Sequence, residues 1–177
     1  MTALSDNDKL QIKSCDEEIF IVDRKVAYMS NYIKDMVEAA GENDEVVPIR
    51  NVRSTTLKKV IEFCEYHHDK PVAHIEKPLK STNFSEYVCD WDDDFLTVDK
   101  EVVLELIQAA NYLDIKPLLD ISCAKVASLI KGKTPEEIRK LFDIVNDFTP
   151  EEEKQISLQI SSLFTDHPLI ADVVQQH

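Results

Sequence analysis

Apolar and polar positions alternate at the start of the chain. In KLQIKS, Leu10 and Ile12 share one face, and after a polar turn at Cys15-Asp16-Glu17 a second apolar run, EIFIVD (18–23), follows; together they predict a β-hairpin. The pattern then changes period. In KVAYMSNYIKDMVEAA (25–40), Met29, Ile33, Met36 and Val37 recur at helical spacing, with Gly41 as the stop. EVVPIR (45–50) reads as a short strand that Pro48 confines to an edge or a strand end. Ser54 is the expected cap of a helix reaching about His67, with Leu57, Val60, Ile61 and Cys64 on its buried side. Periodicity fades over 69–94, which is expected to be a flexible acidic loop ordered only near EYVCDWDDDFL. Asp99 then caps the helix KEVVLELIQAANYLD, and further helices are expected from Pro117 to about Lys131, over 135–142 and over 150–164. The front third is therefore a small α/β unit and the remainder helical, an α+β class.

The 117–131 helix is apolar around more of its circumference than one buried face needs. Leu119, Cys123, Val126 and Ile130 form a stripe, Leu118 and Leu129 lie beside it, and Ile121 lies on its flank. A helix with a single buried side needs an apolar arc of little more than about 100°. Phe142, Ile144, Val145 and Phe148 add apolar residues between the last two helices, and Ile156, Ile160, Leu163 and Phe164 give the final helix an apolar side. Two readings of this excess stay open on periodicity: a larger core, or a face presented to a partner.

Composition narrows the chemistry. Two glycines in 177 residues disfavour glycine-cradled cofactors and glycine-rich β architectures. A net charge of −14 repels nucleic acid and anionic membrane surfaces, so neither is expected as a partner. The four scattered cysteines form no C-x-x-C and read as reduced thiols of the cytosol or nucleus; the opening residues lack the apolar core of a signal peptide. LIKGKTPEEIRK contains the Gly-Lys-Thr of a phosphate-binding loop, but Ala127 stands where the first glycine is required, helical spacing precedes it and Pro135 follows. The stretch instead punctuates two helices: Gly132 ends one, and Thr134, Pro135 and Glu137 open the next as a capping box. Thr-Pro-Glu-Glu returns at 149–152. Cys64, His67, His68 and His74 match no zinc spacing and read as a solvated helix end. Asp92-Asp93-Asp94 lacks the glycine and closing spacing of a calcium loop and reads as a solvated charge run. No nucleophile–base pair or G-x-S-x-G is present, so no catalytic residue, metal or cofactor is assigned.

The segment from Trp91 to Glu153, with AANYLDI, LLD, KGKTPEEIRK and NDFT, closely resembles the Skp-one (S-phase kinase-associated protein one) family, adaptors of SCF (Skp–cullin–F-box) ubiquitin ligases. KLQIKSCDEEIFIVD and VPIRNVRSTTLKKVIEFCEYHHDKP are similar to the family's opening hairpin and to its third strand and following helix, so the resemblance covers about residues 9–153. It implies a BTB/POZ-type α/β domain with a C-terminal helical extension, no catalysis, and an adaptor role in the cytoplasm and nucleus. The implied organisation is a BTB/POZ-like domain over 1–115, F-box-binding helices over 116–165 and a tail over 166–177.

By the same resemblance an F-box protein would pack on Leu118, Ile121, Val126, Ile130, Ile138, Phe142, Ile144 and Phe148, with polar contacts at Asn146 and Asp147. A cullin would meet Asn31, Ile33, Met36, Asn111 and Tyr112. On the 100–113 helix Val103, Leu106, Ile107 and Ala110 mark the buried stripe and Tyr112 points away from it, as an interface anchor would. After Glu153 the chain departs from the family pattern: KQISLQISSLFTDHPLIADVVQQH has no tryptophan and more apolar content than the charged, tryptophan-bearing ending of many members. An apolar groove left unbound could self-associate, so a homodimer serving a non-ligase assembly is the alternative reading.

Overall fold

A computed structural model describes residues 9–40 and 46–166. Gly41 and residues 167–177 of the tail, on which sequence expectations were placed, lie outside the described residues. The expected hairpin is present as β1 (Lys9–Lys13) and β2 (Ile19–Asp23), antiparallel with Ile12 opposite Phe20 and Leu10 opposite Val22. β3 (Val46–Pro48) pairs in parallel with β1, giving the order β2-β1-β3. Pro48, with no N–H to donate, closes an edge strand, where its lost ladder bond is harmless.

The helix expected over 25–40 is two helices, α1 (Arg24–Ala27) and α2 (Asn31–Ala40). Ser30 sits at the break. Its hydroxyl accepts from the Ile33 N–H at 3.1 Å, opening α2, and donates to the Leu113 carbonyl at 2.5 Å. The break is thus set by a partner 83 residues away. α3 (Ser54–His67) follows β3, but Ser54 does not cap it: Arg53 holds the N-cap position. The Asp16 carboxylate takes the capping role across the fold, accepting from the Ser54 N–H at 2.8 Å and from its hydroxyl at 2.6 Å. The Ser54 hydroxyl is the chief reason the Asp16 carboxyl titrates at about 2. Asp99 stands at the N-cap of the helix Lys100–Tyr112 as expected, yet through its carbonyl, which accepts from the Val102 and Val103 N–H groups, and with no side-chain cap bond.

Residues 69–94 do not lie free. Ile75 and Phe84 are buried in the core, a 3₁₀ turn spans Phe84–Glu86, and α4 covers Asp90–Phe95. The two ends of this excursion are joined inside the protein. His67, expected at a solvated helix end, and Asp92, expected in a solvated charge run, are 2% and 1% exposed at their side chains and meet at 2.8 Å through Nε2 and Oδ1. His67 Nδ1 lies 2.9 Å from the Lys70 carbonyl, which can only accept, so Nδ1 donates there and Nε2 faces Asp92. Cys89 donates to the second Asp92 oxygen at 3.3 Å. Tyr66 stacks on Trp91 at 3.9 Å, and Trp91 on Phe95 at 5.0 Å, walling this buried pair from water.

α5 (Lys100–Tyr112) and α6 (Lys116–Ile130) pack along one another. Asp114, at φ 50°, makes the left-handed turn between them, a conformation that aspartate tolerates better than most residues. α7 (Pro135–Leu141) and α8 (Pro150–Asp166) complete the chain. The boundary between compact units falls after Gly132, not at 115/116. α6 buries one side against α5 and so belongs to the N-terminal unit. Gly132, at φ 73°, ends that unit in the left-handed geometry that glycine adopts without strain.

Two outcomes are expected. Asp92→Ala leaves His67 buried without its acceptor and lowers stability by about 3–5 kcal/mol, read from urea unfolding at neutral pH. Because the Asp16 pKa is depressed by folding, its stabilisation is complete above the ordinary value of 3.8 and is lost as pH falls through about 2. The deficit of Asp16→Ala against the parent chain, measured by urea midpoints between pH 5 and pH 2, therefore shrinks as acid is added.

Candidate protein-interaction surfaces

The first surface joins α2 to the end of α5. Asn31 Nδ2 donates to Asp114 at 2.8 Å, and the Tyr112 hydroxyl donates to that of Tyr32 at 2.9 Å, with the rings 4.8 Å apart. Tyr112 is half-buried against Tyr32 rather than standing free. Burial, and then the Tyr32 bond, hold its phenol above the ordinary value, so it is a neutral hydrogen-bonding group. Asn31 and Asn111 are exposed and Met36 is half-buried. Ile33 is corrected: it is buried in the core beneath α2 and offers no surface. Tyr32 is the residue that sequence reasoning left out, and its spacing from Ile33 was no guide, since its partner lies 80 positions on.

The second surface is the outer side of α6. Leu118 and Ile121 are corrected as partner contacts, because both are 0% exposed and form part of the core with Ser122, Ala124 and Ser128 on the same side. The side left outward carries Leu119, Val126 and Ile130, half-buried, and Cys123, exposed. This is the stripe that periodicity picked out; the helix turns it outward because Leu118 and Ile121 fit the α5 side. Cys64, by contrast, is buried on α3, and burial pushes its thiol up to about 12, which makes it inert.

The third surface lies in the C-terminal unit. Thr134 and Glu137 form a capping box: the Thr134 N–H donates to the Glu137 carboxylate at 2.8 Å, and the Glu137 N–H to the Thr134 hydroxyl at 3.3 Å. The second Thr-Pro-Glu-Glu repeats the device at the same distances between Thr149 and Glu152, and the Thr149 N–H, then its hydroxyl, hold the Glu152 carboxyl below its usual range. Between these helices Asp143, at φ 53°, reverses the chain. Asn146 donates to Glu153 at 2.8 Å and accepts from the Phe148 N–H at 3.3 Å, so its amide shapes the turn that presents Phe148. Arg139 pairs with the same Glu153 oxygen at 3.4 Å.

Phe142, Ile144, Val145 and Phe148 do not crowd into a joint. Ile144 is 54%, Val145 83% and Phe148 47% exposed, while Ile138 and Phe142 are half-buried and Asn146 and Asp147 are exposed. Val145, for which periodicity left core and partner face open, is the most exposed of them. On α8 Ile156 and Leu158 face outward, whereas the side chains of Ile160, Leu163 and Phe164 lie outside the described residues. Among the described side chains from Lys133 to Gln159 none is buried. The unit thus holds its helix ends by local bonds and, among the described residues, exposes Ile144, Val145, Phe148, Ile156 and Leu158. Among the described residues no group of His, Cys, Asp and Glu could hold a metal, and no helix is long and apolar enough to cross a membrane.

A three-stranded sheet with helices packed on it, a cross-fold tyrosine pair and an uncovered apolar helical end define a BTB/POZ-type α+β interaction module. Two family models match it, the tetramerisation domain of the Skp1 family over residues 8–69 and the dimerisation domain of the same family over residues 116–160. The chain belongs to the Skp1 family. It is 48% identical over 147 residues to an SCF ubiquitin ligase complex protein, SKP1a, of Dictyostelium discoideum, covering 83% of this chain and 90% of that one. It is 52% identical over 149 residues to an S-phase kinase-associated protein 1 homologue of Tetrahymena thermophila, covering 84% and 89%. A third relative, the E3 ubiquitin ligase complex SCF subunit sconC of Arthroderma benhamiae, is 48% identical over 149 residues, covering 84% and 91%.

Thr134→Ala removes one N–H acceptor from the first turn of α7 and is expected to cost about 1 kcal/mol of helix stability. Circular dichroism should show a loss confined to a few helical residues, with the main unfolding transition in place.

Proposed function

We propose that this chain is a non-catalytic adaptor that bridges an F-box substrate receptor to a cullin scaffold within an SCF ubiquitin ligase, in the cytoplasm and nucleus. The observation that carries the reading is the exposed apolar run Ile144, Val145 and Phe148 in a unit with no buried side chain among those described from Lys133 to Gln159, carried by a chain of the Skp1 family. The relatives' names place them in SCF complexes, which supports the same role here.

The F-box is assigned Val126 and Ile130 on α6 and Ile138, Phe142, Ile144 and Phe148 beyond it, with Asn146 and Asp147 as polar contacts. Leu119 and Cys123 take the place of Leu118 and Ile121. Burial of these apolar groups supplies the affinity, and the acidic surface disfavours nucleic acid as a competitor. The cullin is assigned Asn31, Met36, Asn111 and Tyr112, to which Tyr32 is added. Tyr112 is already braced by Tyr32, so a partner meets an ordered aromatic anchor and little side-chain freedom is lost on binding.

The test separates the two faces. Phe148→Ala should weaken binding of an F-box segment by about 2 kcal/mol or more and leave binding of a cullin N-terminal domain unchanged. Tyr112→Ala should do the reverse. Titration of each variant against each partner reads this out, with circular dichroism as the control for folding. Loss of both partners from one folded variant would sink the two-face reading.

A further inference from the structure

The excursion between α3 and α4 has a contact of its own with α6. Residues 75–79 run alongside the helix as irregular chain, held at two points: Lys77 Nζ donates to Asp120 at 2.9 Å, and Lys131 Nζ to the Leu79 carbonyl. Ile75 is buried and anchors one end. Past that anchor Leu79 is half-buried against the edge of the core, and the packing between the segment and α6 is incomplete. A cavity of about 430 Å3 lies between the segment and the helix, lined chiefly by Ile75, Leu79, Cys123, Ala124, Ala127 and Ile130. Cys123 and Ile130 belong to the outward apolar stripe of α6 that the preceding section assigns to the F-box.

We propose that residues 75–79 are a displaceable strap, occupying the approach to the outward side of α6 until the F-box takes its place. The segment suits that task. Its ion pair is solvent-exposed, with Lys77 69% accessible at its side chain, so it is weak and screened by salt. The cavity shows that the strap leaves apolar surface without close partners, and an incoming apolar side chain gains the contacts the strap forgoes. Ile75 stays in the core and serves as the fixed end about which 77–79 swing.

The inference rests on the adaptor reading, and one titration separates their failures. A labelled F-box segment is titrated into the full chain carrying Lys77→Ala, Lys77→Glu or Lys77→Arg; all three changes lie on the strap and leave α6 intact. Lys77→Ala and Lys77→Glu are expected to bind about two- to fivefold tighter, the size of an exposed ion pair, and Lys77→Arg unchanged. Amide hydrogen exchange at residues 75–80 of the parent chain should quicken in the complex. Equal or weaker binding by the alanine and glutamate variants, or exchange that slows on binding, would overturn the strap and make the segment a fixed part of the interface. If no form of the chain binds the F-box segment, the adaptor reading falls and the strap with it.

Discussion

Leu118 and Ile121 bury one side of α6 in the core that it shares with α5, and this burial decides which part of a wide apolar arc becomes surface. Each buried side chain of this kind contributes about 1.5–3 kcal/mol on removal from water. Their fit fixes the rotation of α6 and points Leu119, Cys123, Val126 and Ile130 outward. The same packing carries the α5–α6 turn, whose Leu113 carbonyl receives Ser30 and sets the start of α2. The Tyr32–Tyr112 pair stands on that junction. Both surfaces of the N-terminal unit therefore follow from one helix–helix contact.

Local signals in the chain were readable where the partner of each group lies a few residues away. The hairpin, the left-handed Gly132 and both Thr-Pro-Glu-Glu boxes follow from alternation and spacing, because a short turn joins the two paired strands and each capping bond spans three residues. What failed to show has a long reach. Nothing near Ser54 reveals that Asp16 binds it from 38 positions away, and nothing near His67 reveals Asp92 at 25. A histidine at a helix end and an aspartate in an acidic run are both solvated by default; only the aromatic wall of Tyr66, Trp91 and Phe95 makes them interior.

Among the candidate contacts the difficulty was different in kind. Hydropathy cannot tell an apolar residue that faces the core from one that faces outward, so buried Leu118, Ile121 and Ile33 were grouped with exposed residues while Val145, 83% exposed, was left undecided. The family resemblance points to particular helices, since it rests on long motifs, but which side of each helix is exposed follows from the packing of α5 on α6. Asn146 shows a further subtlety. It is exposed, as a contact should be, yet its amide is already engaged with Glu153 and the Phe148 N–H, so it orders the turn as well as offering a polar edge.

The C-terminal unit from Lys133 separates what holds its shape from what it displays. Its helix ends are fixed by Thr134, Glu137, Thr149 and Glu152, whereas Ile144, Val145 and Phe148 stand exposed between them. Substitutions at these three positions consequently carry little folding penalty. Over generations such a surface can drift toward new receptors while the scaffold beneath it is held constant, so recognition and foldability are inherited as nearly independent traits.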